Sequence, residues 1–291
     1  MSIPEIALTF SCDQQTLIGV LHPAQQVSKI GVLVIVGGPQ YRVGSHRQFV
    51  LLARHLAAQG IPTMRFDVRG MGDASGEPRS FAVLDDDILA AVDCFLSQQP
   101  DIEQVVIWGL CDAASAALFY AYQDSRIAGL VLLNPWVFTE QGAAKTYLKH
   151  YYLQRLFSKD LWRKVLRLQF NFAASLTSLL TMLKQARRGV QASEPQLQGL
   201  VKVDANLALP VRMRECLQRF TGPVLLILSG RDLTADEFRE AVKADAGWQA
   251  LLADSRITRE DFADADHTFS SAVARDQVAQ WTTAWLKGLK A

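Results

Sequence analysis

The stretch Val105–Leu118, VVIWGLCDAASAAL, decides the fold. An apolar run from Val105 to Trp108 is followed by Gly109 and then by small residues with no β-branched side chain among them, so a buried strand gives way at once to a close-packed helix. At the junction stands Cys111, in the pattern Gly-x-Cys-x-Ala. A strand turning straight into a helix lifts the junction residue above the carboxyl edge of the sheet, and the two backbones come so close that only small neighbours, here Gly109 and Ala113, fit. Amides and dipole at a helix N-terminus favour a thiolate over a thiol, whose ordinary pKa is about 8.5. The alternative is an inert buried thiol, which would not require the preceding glycine.

Outward from this turn, further apolar runs alternate with helical patterns. GVLVIVGG (31–38), PTMRFDVRG (62–70), IAGLVLLNP (127–135) and PVLLILSGRD (223–232) read as strands, and 48–59, 81–99, 111–122 and 271–290 as helices. IALTFSC and TLIGVLH read as an antiparallel hairpin on the sheet's edge. The prediction is an α/β fold: a mostly parallel sheet of about eight strands with helices on both faces. Residues 136–221 show helical patterns without strand signals. They are expected to form a lid over the carboxyl ends of the strands, inserted between core segments 1–135 and 222–291.

Chemistry is expected where the strands end. Asp232 follows the run VLLILSG, and His267 lies in DADHTFS before the last helix, giving the order nucleophile, acid, histidine. His267 would share or take the thiol proton, and the acid would fix its tautomer; Asp236, in the same loop, is the other candidate acid. Asp264 and Asp266 read as capping or solvent residues. An acyl intermediate needs oxyanion donors, and the amides of Asp112 and of Gln40, in GGPQYRVGSHRQF, are the candidates, since Pro39 has no N–H. The Asp112 carboxylate would oppose a thiolate if it pointed inward. Tyr41, Arg42 and His46 in the same loop are candidate substrate contacts, although His46 also suits the start of a helix. FDVRGMGDASGE (66–77) lacks a Walker lysine and has the wrong spacing for a dinucleotide, so Asp67 and Arg69 read as structural ties.

Bulk properties narrow the partners. With 291 residues the net charge is only +1, which argues against a nucleic-acid binder. Cys12, Cys94, Cys111 and Cys216 are dispersed without metal-ligand spacing, so neither zinc nor disulfides are expected, and no cofactor is implied. The start MSIPEIALTF lacks the pattern of a secretion signal, which with the free thiols predicts a cytoplasmic protein. LQFNFAASLTSLLTML (168–183) is too short and too polar to span a membrane. Between Lys145 and Arg188 ten Lys or Arg face a single acid, Asp160. Such a basic lid would attract an anionic acyl substrate or touch an anionic membrane surface, unless it is an ordinary solvated face. Trp162, Phe170 and Phe172 in it suit lid packing, or an apolar acyl chain. Nothing in the sequence sets the oligomeric state.

Together VGGPQYRVGSHRQFVLLARHLA, RFDVRGMGDASGE, GLCDAASAAL, SGRDLTADEF and DADHTFS resemble the exosortase A system-associated hydrolases, type 1, within the α/β-hydrolase superfamily. The resemblance implies a bacterial protein encoded with exopolysaccharide and PEP-CTERM sorting machinery. Cys111 departs from the superfamily serine, and Ala113 from the usual second glycine. Cysteine at this turn is similar to dienelactone hydrolases and polyhydroxyalkanoate synthases.

These residues lead to a Cys111-His267-Asp232 hydrolase of esters or thioesters. A thiolate leaves more readily than an amine, so amides are poor substrates. The alternatives are an acyltransferase acting on a sugar or lipid hydroxyl, and a non-catalytic binding protein on the same fold, for which a broken triad would be expected.

Overall fold

Neighbouring residues of a strand point to opposite faces of the sheet, so an unbroken apolar run is stable only where both faces are covered. The computed structural model, which describes residues 4–26, 28–38, 40–138 and 202–289, contains such a sheet. Its strands are β1 (Ile6–Cys12), β2 (Gln15–His22), β3 (Ile30–Ile35), β4 (Thr63–Phe66), β5 (Gln104–Leu110), β6 (Ile127–Leu133), β7 (Val224–Arg231) and β8 (Ile257–Asp266). Their spatial order is β1-β2-β4-β3-β5-β6-β7-β8. The β1-β2 hairpin forms at the edge as its sequence predicts, β2 runs antiparallel to β4, and the pairs from β4 to β8 are parallel.

The alternation is visible residue by residue. Leu33, Ile107, Leu132 and Leu226 join one apolar cluster, while their chain neighbours Val34, Trp108, Val131 and Ile227 join the other. The first is covered by α2 (Asp85–Gln98) and α3 (Asp112–Ala121). The second is covered by α1 (Gln48–Ala58) and the C-terminal helix (Ala272–Gly288), with Phe49 set edge-on to Trp108 at 5.7 Å between ring centroids. Each such buried side chain contributes about 1.5–3 kcal/mol.

Three details differ from the sequence reading. The helix expected over 81–99 is a short 3₁₀ turn, Phe81–Val83, followed by α2, whose first turn carries Asp85, Asp86 and Asp87 where the helix dipole favours acids. The stretch assigned to the lid includes α4 (Leu209–Arg219), which buries Met213, Cys216 and Leu217 in the same cluster as α3. And β8, ITREDFADAD, carries no strand pattern in its sequence, because on the sheet's edge only Ala265 of its ten residues is buried. Residues 139–201, with the ten cations and Trp162, Phe170 and Phe172, lie outside the described residues. After α4 come α5 (Leu233–Ala244), α6 (Ala246–Leu252) and α7 (Ala272–Gly288). The carboxyl ends of β5, β6, β7 and β8 bring the candidate residues to one edge.

Candidate active site

Cys111 occupies the turn between β5 and α3 with φ 63° and ψ −124°, a conformation L-residues avoid and one that costs of order 1–3 kcal/mol. The surroundings hold it there. Its N–H donates to the Leu133 carbonyl at 2.9 Å, and its own carbonyl accepts the amides of Ala114 at 3.1 Å and Trp136 at 3.2 Å. Ser115, buried in α3, donates its hydroxyl to the Trp136 carbonyl at 2.7 Å. Gly109 is required for the close approach: a Cβ there would lie 2.7 Å from the backbone C and O of Ala113.

Asp232 is placed by the end of β7. Gly230 passes so near β8 that a Cβ would fall 2.2 Å from the Ala263 carbonyl oxygen, and the register shift there sets Arg231 opposite Asp266. The next residues on the two strands, Asp232 and His267, then meet: Oδ2 lies 2.9 Å from Nδ1. Asp232 is also the N-cap of α5 and accepts the amides of Thr234 and Ala235, each at 3.1 Å, which locks the carboxylate. Asp236 pairs instead with Arg239 at 3.0 Å. Of the two candidate acids, Asp232 is the one that meets His267 Nδ1.

Cys111 lies near enough to His267 to act on the same imidazole. The imidazole is pushed up to about 10, first by its bond to Asp232 and then by the Cys111 side chain, while burial opposes both. Burial drives Cys12 up to about 11 and Cys216 up to about 12, and it raises Cys94 as well.

Asn134 was missed by the sequence reading. Wholly buried after β6 with φ 42°, it accepts the Ser229 amide at 2.9 Å and donates Nδ2 to the Ser229 hydroxyl at 2.9 Å and to the His267 carbonyl at 3.0 Å. It thus ties β6, β7 and the histidine loop together. The available signal was a lone amide closing an otherwise apolar run, since a buried polar group must find partners.

The loop after β3 carries the remaining candidate residues. This loop brings the Gly38 amide to the elbow, where it donates to Asp112 Oδ2 at 2.9 Å, and the Gln40 side chain accepts the Ser45 amide at 3.3 Å. The Arg42 guanidinium pairs with buried Asp67 and, at 2.7 Å, with Asp73, and its amide donates to Asp67 at 2.6 Å. Asp67 is therefore the tie its sequence suggested, as is Arg69, which pairs with Asp87 and with Asp13. Tyr41 is 45% exposed. His46 meets Thr268 Oγ1 at 3.2 Å, beside the catalytic candidate His267, and Asp266 caps that turn by accepting the Ser270 amide. Among the described residues no group of three or more His, Cys, Asp or Glu could hold a metal ion, and no helix is long and apolar enough to cross a membrane.

A mostly parallel sheet with a strained strand-to-helix elbow and an acid-histidine pair at its carboxyl edge defines a class of enzymes that work through an activated side chain. The chain belongs to the alpha/beta hydrolase family, whose profile matches residues 32–281. Among solved structures it is similar to the Pyrococcus furiosus esterase Pf2001, with a TM-score of 0.64 and 13% identity over 98% of this chain and 91% of that one, a likeness of fold alone. Among curated proteins, it is 31% identical to the uncharacterized protein PA2218 of Pseudomonas aeruginosa over 34% of this chain and 27% of that protein. It is 26% identical to the polyketide transferase grgF of a Penicillium species over 43% of this chain and 42% of that protein. The chain thus matches less than half the length of both curated relatives.

Proposed function

We propose that this protein cleaves esters or thioesters through an acyl-cysteine intermediate. The observation that carries the reading is the 2.9 Å contact of His267 Nδ1 with Asp232 Oδ2 at the carboxyl edge of the sheet, with Cys111 at the elbow near enough to act on the same imidazole. Family membership makes the chain an α/β-hydrolase, and Cys111 in place of serine narrows the chemistry.

In the first half of the reaction the Cys111 sulfur attacks the acyl carbon, and the carbonyl oxygen takes up the electron pair. The amides of Gly38 and Asp112 are the donors that would steady this oxyanion. Collapse breaks the bond to the leaving group, which takes the proton held by His267. In the second half His267 removes a proton from water, the hydroxide adds to the acyl-thioester, and the carboxylic acid departs as the thiolate returns, then loses its proton to solvent. Asp232 keeps Nδ1 engaged throughout, so the reacting nitrogen always faces the sulfur. Alkoxides and thiolates leave such an intermediate more easily than amines do, which sets esters, lactones and thioesters above amides.

The second reading is acyl transfer, in which a hydroxyl replaces water in the second half. It is favoured by the name of one relative, a polyketide transferase, and by the activated thioester that cysteine forms. The resemblance to exosortase-associated hydrolases links the protein to exopolysaccharide and sorting machinery without naming a substrate. The ten cations of 145–188 suit an anionic donor such as a coenzyme A thioester.

Intact-mass analysis with a panel of aryl esters, lactones and acyl thioesters tests the reading. An acyl adduct should map to Cys111, persist in His267→Ala and be absent from Cys111→Ala. If no panel member or thiol-directed electrophile labels Cys111 faster than Cys12, Cys94 and Cys216, the nucleophile is misassigned. Added sugar or alcohol acceptors separate transfer from hydrolysis.

A further inference from the structure

The Asp112 carboxyl has no part in the reaction described above, yet it lies in the middle of its machinery. Oδ2 accepts the Gly38 amide at 2.9 Å, and the amides of Ala113 and of Asp112 itself face the same carboxyl. Gly37 is pressed against it, since a Cβ at that residue would come 2.0 Å from Oδ1. Oδ1 is buried with no hydrogen bond of ordinary geometry. The chain's own acid therefore fills the amide cradle in which the oxyanion would form.

Two facts bear on how firmly it stays there. A buried oxygen without a partner is costly, and burial pushes the Asp112 carboxyl above the ordinary carboxylate range. The occupied state is stabilised by the Gly38 bond and opposed by that desolvation. A ligand that supplies binding contacts elsewhere can tip such a balance, and binding energy from remote parts of a substrate is commonly used in this way.

Resting on the reading of Cys111 as the nucleophile, we propose that Asp112 gates the oxyanion cradle: its carboxyl must rotate away from Gly38 before an acyl carbonyl is polarised there. The gate works against small unanchored esters. It favours activated acyl donors with an extended acyl chain or leaving group, whose additional contacts drive the rotation. Asp112 is thus a specificity-determining positioning residue; the bland alternative is an acid that only stabilises the N-terminus of α3.

The test compares two reactions of Cys111 in the full chain, acylation by p-nitrophenyl acetate, which needs the cradle, and alkylation by iodoacetamide, which does not. Losing one oxyanion donor commonly costs 10²–10³-fold, so freeing an occupied one in Asp112→Ala should raise the acylation-to-alkylation ratio at least about tenfold. Asp112→Asn, which still fills the space, should give a smaller rise, and the preference for p-nitrophenyl octanoate over the acetate should shrink in Asp112→Ala. Asp112→Ser serves if the alanine variant does not fold. A ratio that is unchanged or falls overturns the gate while leaving the nucleophile in place, and so does a parallel rise of both rates, which would mean that the carboxylate acts only through its charge on the thiol. If Cys111 is inert to both reagents in every variant, the nucleophile reading fails and the gate with it.

Discussion

Gly109→Ala adds one methyl group at the most crowded point of the elbow. The new Cβ would sit 2.7 Å from the backbone C and O of Ala113 and 2.8 Å from the Ala114 amide nitrogen. None of these is a flexible side-chain end that can turn aside. Opening 2.7 Å to an ordinary contact of 3.4 Å moves the start of α3 by about 0.7 Å, in an interior packed like a crystal. α3 has little room, for its residues from Ala113 to Ala121 are all buried. Overpacking of this kind costs about 1–3 kcal/mol, which in a domain of this size lowers Tm by roughly 2–4 °C per kcal/mol. The same shift carries Cys111 away from His267, and misplacement by about 1 Å can cost about 10²-fold in rate. Thermal unfolding should thus show a drop of several degrees. Iodoacetamide labelling of Cys111, with Cys94 as the internal reference, should slow at least about tenfold. A Gly109→Ala protein with wild-type Tm and wild-type labelling of Cys111 would refute the elbow as the source of the cysteine's placement.

Other perturbations read different parts of the site. Asn134→Ala removes both bonds to Ser229 and the donor to the His267 carbonyl, and should lower the unfolding free energy by about 2–4 kcal/mol in urea titration, with a loss of activity that Ser229→Ala reproduces only in part. Asp232→Asn takes away the largest influence raising His267, so the imidazole should titrate well below its wild-type value of about 10 by NMR, while Asp236→Asn leaves the titration unchanged. Stability should follow the same proton. From the ordinary imidazole value of 6.5 up to about 10, the folded protein holds a proton that the unfolded chain has lost. The stabilising contribution is therefore full at pH 6 and fades toward pH 10, and the stability difference between wild type and His267→Gln should shrink over that interval; a difference that grows with pH contradicts the assignment.

Local sequence was enough for whatever depends on neighbours along the chain. The unbroken apolar runs required a sheet covered on both faces, and Gly109, Cys111 and Ala113 required the elbow, because periodicity and residue size act over a few positions. The hairpin Ile6–Cys12 with Gln15–His22 was legible for the same reason. The edge strand Ile257–Asp266 was not, since an edge strand buries too little to show an apolar pattern, and neither was the membership of Leu209–Arg219 in the core.

What the sequence by itself determined is a parallel α/β sheet, with Cys111 raised at its edge and an acid and a histidine following in order. Tertiary structure alone decided which atoms meet. The close crossing of Gly230 over Ala263 brings Asp232, and not Asp236, to His267. The path of the loop after β3 delivers the Gly38 amide to the Asp112 carboxyl and commits Arg42 to Asp67 and Asp73. Hydrogen bonds act over about 3 Å, and between residues as distant in sequence as Gly38 and Asp112 only the folded chain sets that separation.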